Sequence, residues 1–509
     1  MVALMAFMRV MFLCAFFLVA VTSASAQEQG SIALTVPQLD GSFSLLVPQN
    51  TVTISSNINI YDNNIRIPAE VSYTLLWPNS ANQKYQYVRI LNIKLLTKPS
   101  TKLLTLRWQT GTKLLSETSK SEKLNSRIIY PNSSWLRKAL LLTDDLNVDD
   151  TWYRSIQSLT ATYLADEEAL TKNNYPRNKA SQWLYDRPQA FYQLYLATNN
   201  HQWKRYADRF VTFYKSQIDD EGFFKLAKPE DVKYLMGRSL VYHHLLNYSE
   251  SSLDVLGRLY NASLSWDAGY STGRGFWTER HHAAALNVAI SYWELTNKQS
   301  AKDRIEELIN TLLAMTFTPE NQWPVSNCPQ HTFNAHEGWG DESPTCSPWM
   351  MALLADNLWR YYWLTNSDKS RQLLVAFADF IAEKGIFIAP KGKIKGQIIP
   401  KYLVSLQNSK QEELDAWSDR QHTCDVASMM GKGLYVEKIE GGRLKTNTLS
   451  VFKKISNLCQ AQHVAINEKY KYVKLERLTS KPPRKFNWQY STTDDLPWLM
   501  SVLNQIEQD

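Results

Sequence analysis

Long apolar runs are scarce in this chain. The stretch Val10 to Val21 is too short to span a bilayer comfortably, and no other segment is long and apolar enough to cross one. A dense basic stripe is also missing. The net charge is +7 over 509 residues with opposite signs mixed along most of the chain, so nucleic acid is excluded as an expected partner while an acidic ligand is permitted. No G-x-S-x-G elbow, P-loop or dinucleotide fingerprint occurs, which removes the serine-hydrolase, NTPase and Rossmann readings. Cysteines are few, five in all.

What is present begins with an export signal. Arg9 precedes the apolar run, and Ala24-Ser25-Ala26 has the A-x-A form of a cleavage site, so residues 1–26 read as a cleaved signal peptide and the location as periplasmic or extracellular. Cys14 leaves with that segment. Of the three pairings open to Cys328, Cys346, Cys424 and Cys459, Cys328–Cys346 and Cys424–Cys459 close the shortest loops and are expected as disulfides. A zinc set of Cys328, His331, His336 and Cys346 matches no standard spacing. No cofactor is expected, with a divalent cation left open.

The period of the apolar residues changes along the chain. Residues 31–129 alternate in short runs, such as Ser31–Val36, Thr51–Ile54, Tyr87–Ile90 and Thr101–Trp108, punctuated by Pro, Gly and Asn; this predicts a β-sandwich, either a support or a sugar-binding module. From 135 to 384 the spacing is helical. Predicted helices include Asp149–Asp166, Arg187–Ala197, Gln202–Gln217, Pro229–Leu246, Ser252–Leu264, Thr278–Leu295, Ala301–Met315, Trp349–Leu364 and Lys369–Lys384, with short connections as antiparallel neighbours require. Residues 385–509 read as a smaller mixed part, with hairpin strands near Ile386–Ile388 and Lys393–Val404, helices near Cys424, Leu449–Gln462 and Pro497–Ile506, and an alternating run Lys469–Lys474.

Three of the helices share an ending: Tyr195-Leu196-Ala197-Thr198-Asn199, Trp293-Glu294-Leu295-Thr296-Asn297 and Tyr362-Trp363-Leu364-Thr365-Asn366. Their upstream ends differ and hold the chemically unusual residues. Such a degenerate helix-pair repeat predicts a ring of hairpins around a cleft. The fold class is therefore mainly α with β.

Four constellations are candidates for chemistry. Trp277-Thr278-Glu279-Arg280-His281-His282 opens a helix, where a histidine can serve as base and Arg280 can clamp a carboxylate; the alternative is that Glu279 caps and the histidines fill the first turn. Asn334-Ala335-His336-Glu337-Gly338-Trp339-Gly340-Asp341-Glu342-Ser343-Pro344 lies between two cysteines, and Trp339 suits stacking on a sugar ring; the alternative is a stapled surface loop. Tyr242-His243-His244 lies mid-helix, as a proton relay or as packing. Tyr185-Asp186-Arg187-Pro188 opens the first repeat, with Asp186 as cap or acid and Arg187 as a candidate anion contact.

With its export signal, long helix-pair array, charged clusters at helix starts and abundant Trp and Tyr, the chain resembles exported bacterial proteins that join a β-domain to an (α/α) toroid, without a motif that fixes one family. The resemblance spans residues 147–462. It implies an enzyme acting on a polysaccharide or oligosaccharide. A lyase that cleaves a uronate-containing glycan by β-elimination would use His281 or His336 as base, Tyr242 as acid, and Arg280 with Asn334 on the carboxylate. A glycoside hydrolase would pair carboxylates from Glu279, Glu337, Asp341 and Asp186. A glycan-binding or envelope-assembly protein without catalysis is the third reading.

Overall fold

The computed structural model describes residues 29–36, 41–78, 86–111, 113–118, 127–143, 183–269, 278–319, 322–391, 395–412, 422–470 and 491–505. The predicted signal peptide, Trp277 and the predicted helix Asp149–Asp166 lie outside them.

Among the described residues, the first part of the chain holds nine strands in two sheets. β1 (Gln29–Thr35), β3 (Ser56–Asp62), β4 (Ile65–Ile67) and β7 (Leu103–Thr110) form one, in the order β1-β7-β3-β4. β2 (Ser42–Leu46), β5 (Ala69–Leu76), β6 (Val88–Leu95), β8 (Ser116–Glu117) and β9 (Arg127–Ile129) form the other, in the order β8-β5-β6-β2-β9. Leu34, Ile60, Leu104, Leu106 and Trp108 from the first sheet meet Phe43, Leu45, Val88, Leu91 and Ile93 from the second in one apolar core. The predicted strand at Thr51–Ile54 is instead a turn with a single bridge, Thr53 to Tyr87, because Thr53 N–H is taken by the Ser56 hydroxyl at 3.0 Å.

After a short helix, α1 (Ser133–Ala139), the helices come in pairs. They are α2 (Arg187–Thr198) with α3 (His201–Ser216), α4 (Arg238–Asn247) with α5 (Glu250–Ser263), and α6 (Glu279–Thr296) with α7 (Gln299–Phe317). After the small elements β10 (His331–Thr332), α8 (Phe333–Glu337) and β11 (Pro344–Cys346), α9 (Pro348–Thr365) pairs with α10 (Asp368–Glu383). Strands β12 (Ile386–Ile388), β13 (Ile398–Pro400) and β14 (Val404–Ser405) precede the pair α11 (Thr423–Ile439) and α12 (Thr446–Tyr470), and α13 (Leu496–Gln505) ends the described chain.

The Thr-Asn endings explain how each pair turns. Thr198, Thr296 and Thr365 donate their hydroxyls to the carbonyls of Leu194, Tyr292 and Tyr361. Asn199, Asn297 and Asn366 then take left-handed geometry, at φ of 53°, 52° and 56°, and donate their N–H groups to Tyr195, Trp293 and Tyr362. The next residue is extended and starts the return helix, so two residues suffice for the joint. The α4–α5 pair uses the same joint without the motif, with Tyr248 at φ 52°.

Burial separates two kinds of helix. Every residue of α2 from Arg187 to Leu196 is buried, as is every residue of α4 up to Leu246, whereas α3, α5 and α7 bury one stripe each and α10 is covered all round only from Ala376 to Ala382. A helix covered all round must lie inside a layer of others. Accordingly α2, α4, α6, α9 and α11 touch in sequence, each backed by its partner. The arc is closed by the segment before α13: Gln189 and Gln193 of α2 donate to the Ser491 carbonyl, and Ser428 and Lys432 of α11 donate to that of Thr492.

Two further predicted elements differ. The helix expected over Pro229–Leu246 starts only at Arg238, after a short 3-10 turn at Val232–Tyr234. Gly237 is the reason: a Cβ there would lie 2.7 Å from the Ser291 side chain, so this backbone presses directly on α6. The alternating Lys469–Lys474 begins in helix, since α12 runs through Tyr470; the remainder is outside the described residues.

The sheets and the helices share more than a seam. Leu46, Trp77, Tyr87 and Ile90 belong to the helical core. Arg89 of β6, fully buried over the Trp77 ring, meets Glu294 of α6 at 2.6 Å, and Arg360 of α9 grips the same carboxylate through Nε at 3.0 Å and through Nη2. Burial alone would raise the Glu294 carboxyl; the two guanidiniums override it and hold it at about 2.

Candidate active site

The inner helices leave a cleft between them that encloses about 410 Å³ out to its mouth. Its lining comes from five places: Tyr185, Asp186 and Gln189 at the start of α2; Lys233 and Met236 before α4; Arg280, Ala283, Ala284 and Asn287 on α6; Leu353, Asp356 and Asn357 on α9; and Ser491 and Thr492. The small residues Ala283 and Ala284 keep the α6 backbone close to the cleft.

A network of amides sets the walls. Asn287 accepts the Gly237 N–H at 2.9 Å and donates to Asn357 at 3.0 Å, and Asn357 donates in turn to the Ala283 carbonyl at 3.1 Å. These bonds cross from the turn before α4 to α6 and on to α9, so the three walls are fixed relative to one another. Asp356 pairs at 3.0 Å with Lys432, which is 1% exposed and braced by the Thr492 carbonyl.

Tyr185 and Asp186 enter the cleft on strained backbone, at φ of 66° and 55°. Two consecutive non-glycine residues in the left-handed region cost free energy that the surroundings must offset. Asp186 supplies that support: its carboxylate accepts the N–H of Gln189 at 3.2 Å and that of Ser239 at 2.8 Å, tying α2 to α4. Burial nonetheless raises its pKa above the ordinary carboxylate value, against the pull of those hydrogen bonds and of Arg238. The residue is both cap and acid candidate.

Arg280 differs from the other cations here. Lys233 is paired with Asp231 at 2.6 Å, whereas no carboxylate among the described residues pairs with Arg280, and its Nε is buried without a hydrogen-bond partner among them. A half-buried guanidinium left this way favours an anion from outside.

The remaining sequence candidates sit around the cleft, outside its described lining. His281, 8% exposed, stacks on Trp266 with ring centres 5.4 Å apart, and burial, then Arg280 and Lys233, holds its pKa well below the usual value. Glu279 is fully buried; it accepts the Ser347 N–H at 2.9 Å and lies 3.2 Å from His331 Nδ1. His331 Nε2 lies 3.2 Å from His336 Nδ1, so Glu279, His331 and His336 form one buried chain. Burial, the neighbouring His331 and Arg280 push the His336 pKa well down. Tyr242 is buried in the ring with its edge toward Tyr192, and burial pushes its phenol up to about 12. Arg187 is buried over the Phe210 ring at 4.4 Å and faces the interior.

The loop candidates form their own unit. Cys328–Cys346 is a disulfide, as is Cys424–Cys459. The first removes both thiolates that a zinc set with His331 and His336 would need. The second does the same for Cys424, Cys459 and His463, the cluster with ligand spacing among the described residues. Asn334 N–H donates to the Asp341 carbonyl at 3.1 Å, and the Asp341 side chain accepts the Ser343 N–H, which with other hydrogen bonds keeps its carboxyl near 2. Trp339 is 61% exposed, edge-on to Phe333. The side chain of Glu337 is not among those described.

Sequence reasoning did not single out Gln189, Lys233, Asn287, Asp356, Asn357 or Ser491. Asn287 and Asn357 carry a usable signal: an amide in a helix that is otherwise apolar all round needs an interior partner.

No protein-family model matches the chain, and no curated protein matches it. Among solved structures it is similar to an unsaturated glucuronyl hydrolase specific for heparin, at 12% identity over 70% of this chain and 98% of that one, with a TM-score of 0.45. It is similar to a cellobiose 2-epimerase from Bacillus thermoamylovorans, at 13% identity over 64% and 88%, with a TM-score of 0.41. A polysaccharide lyase matches at 10% identity over 68% and 98%, with a TM-score of 0.41.

Proposed function

We propose that the chain is an exported enzyme that cleaves a uronate-bearing polysaccharide or oligosaccharide by β-elimination in the central cleft. The reading takes the helix pairs as an (α/α) toroid over 135–384, completed by 385–509, and the two sheets as a β-sandwich over 31–129. The observation that carries it is Arg280, a cation in the lining with no carboxylate partner among the described residues.

β-Elimination starts by removing the proton beside a carboxylate. That proton is acidic enough only when the negative charge that develops is neutralised. Arg280 against the uronate carboxylate supplies that neutralisation, with the amides of Asn287 and Asn357 in the same lining. The leaving oxygen needs a proton, and the raised pKa of Asp186 suits it to donate one. Tyr185 in the same lining is the base for the removal step in its phenolate form, becoming the phenol as it takes the proton. His281 and His336 are outside the described lining, and burial, with Arg280 adding to it, keeps both imidazoles below their usual pKa. A second reading, hydrolysis, is favoured by one observation: Asp186 and Asp356 both line the cleft, as paired carboxylates would.

The test is a panel of acidic and neutral polysaccharides. Products with the ultraviolet absorbance of an unsaturated uronate are expected, and Arg280→Ala is expected to lower kcat/KM by about a hundredfold or more on the acidic substrate, as loss of one charge-stabilising donor does. New reducing ends without that absorbance would replace elimination with hydrolysis. Binding without turnover on every substrate would leave a glycan-binding protein.

A further inference from the structure

Six residues beyond Asn357 on α9, about 9 Å further along the helix axis at the usual rise per residue, Trp363 lines a second cavity. It encloses about 900 Å³ out to its mouth and lies where the sheets meet the helix ends. Its walls come from the loop after β2, from α1 and its exit with Lys138, from α9 with Trp359 and Trp363, and from the closing segment and α13 with Asp495 and Trp498. None of these residues lines the cleft, although Ser491 and Thr492 of the same closing segment do.

Two properties point to a ligand. The first is aromatic. Trp363 and Trp498 are half-buried, and Tyr435 packs between them with its ring 6.2 Å from Trp363 and 4.7 Å from Trp498, so the wall is rigid. The second is a buried acceptor. Asp495 is 5% exposed, and its Oδ2 accepts the indole N–H of Trp359 at 2.8 Å, while its Oδ1 is buried without a hydrogen-bond partner among the described residues. A carboxylate oxygen held this way loses free energy until a donor arrives. Lys138 stands exposed at the rim.

We propose that this cavity binds one sugar unit of a glycan chain, at a site separate from the cleft. A sugar presents an apolar C–H face and hydroxyl donors at its edge, which match the indole faces and Asp495 Oδ1 respectively. A sugar ring carries several such donors around its edge, where an aromatic side chain carries one. The inference rests on the carbohydrate reading of the cleft, because a second foothold on the same polymer raises the effective concentration of substrate at the first.

The experiment uses the full chain carrying Arg280→Ala, so that binding in the cleft is weakened, titrated calorimetrically with hexameric oligogalacturonate and with cellohexaose. Saturable binding of one of them is expected, weakened about tenfold or more by adding Trp363→Ala, since an aromatic face contributes on that scale. Asp495→Asn, which keeps the size of the side chain, is expected to weaken it as well and guards against a folding defect in the tryptophan variant. No binding of either hexasaccharide, or binding indifferent to both substitutions, overturns the second site. Turnover by the unsubstituted protein reports on the cleft by itself: turnover without this binding removes only the second site, and binding lost with Trp363 but without turnover removes only the catalytic reading.

Discussion

The two ends of α6 carry opposite electrostatic arrangements. At its start, Arg280 is half-buried beside the cleft with no carboxylate partner among the described residues. At its far end, Glu294 is 1% exposed and shared by two guanidiniums, Arg89 from the sheet and Arg360 from α9. Charges satisfied within the protein hold parts together, and a charge left unsatisfied at a cleft waits for a ligand. The same helix therefore serves as joint at one end and, in the proposed function, as site at the other. Burial decides the energetics: a buried ion cluster adds little over an apolar replacement, but removing one member strands the others.

The largest expected effect tests the joint. Glu294→Ala leaves two buried guanidiniums without their counter-charge and is expected to cost about 4 kcal/mol of stability, read from the urea midpoint. Arg280→Ala strands nothing and should stay within about 0.5 kcal/mol of the parent protein. If both substitutions destabilise alike, the contrast between the two ends of α6 is wrong. If Glu294→Ala costs less than about 1 kcal/mol, water must reach Arg89 and Arg360 in its place.

Acid should open the structure next, in two stages. His282, whose Nε2–H donates to the Leu308 carbonyl, is held at about 3 by burial and then Arg304, and His463 at about 4 by burial. The unfolded chain protonates these imidazoles near 6.5, while the folded chain resists until far lower. Stability is thus full above pH 6.5 and is lost as pH falls through the window down to 3–4, by about 2 kcal/mol per histidine at pH 5. The Glu294 cluster has the same sign but a lower window, between the ordinary 4.5 and about 2. Urea midpoints at pH 7, 5 and 4 separate the stages. No change between pH 7 and 5 would show that the imidazoles find a partner for their second proton.

How much of this was legible beforehand follows from the kind of signal each part leaves. The helix pairs were legible because Thr-Asn endings are local chemistry: a hydroxyl that bonds back one turn and an amide residue that tolerates left-handed geometry. The two disulfide pairings followed from loop length, and Arg280 stood out as a cation in a first helical turn. The cleft itself was not legible. Helices buried on every side have no polar face to point outward, so nothing in one sequence says which side of α6 or α9 meets the axis. Asn287, Asn357 and Asp356 were hidden for that reason. His281 drew notice as a reactive residue, yet it stacks on Trp266, a partner that is fifteen positions upstream and invisible to any helical spacing. Of the alternating run from Lys469, the first two residues continue α12, and the rest lies outside the described residues.

The smallest expected effect bears on the ending that first revealed the repeat. Asn297 closes α6 at φ 52° with its N–H on the Trp293 carbonyl, three residues beyond Glu294. Asn297→Gly keeps that backbone at no steric cost, whereas Asn297→Ala forces a Cβ into the left-handed region for about 1 kcal/mol. Thermal midpoints should therefore rank the glycine variant with the parent protein and the alanine variant a few degrees below, with turnover per folded molecule equal in all three. Equality of turnover is the informative part. The cap holds the end of α6 that carries the buried cluster, about 25 Å along the axis from Arg280 at the usual rise per residue, so strain there should appear in stability alone. If Asn297→Ala lowered kcat while the fold held, the two ends of α6 would be coupled, and the buried arginine–glutamate cluster would have to be counted as part of what positions the site.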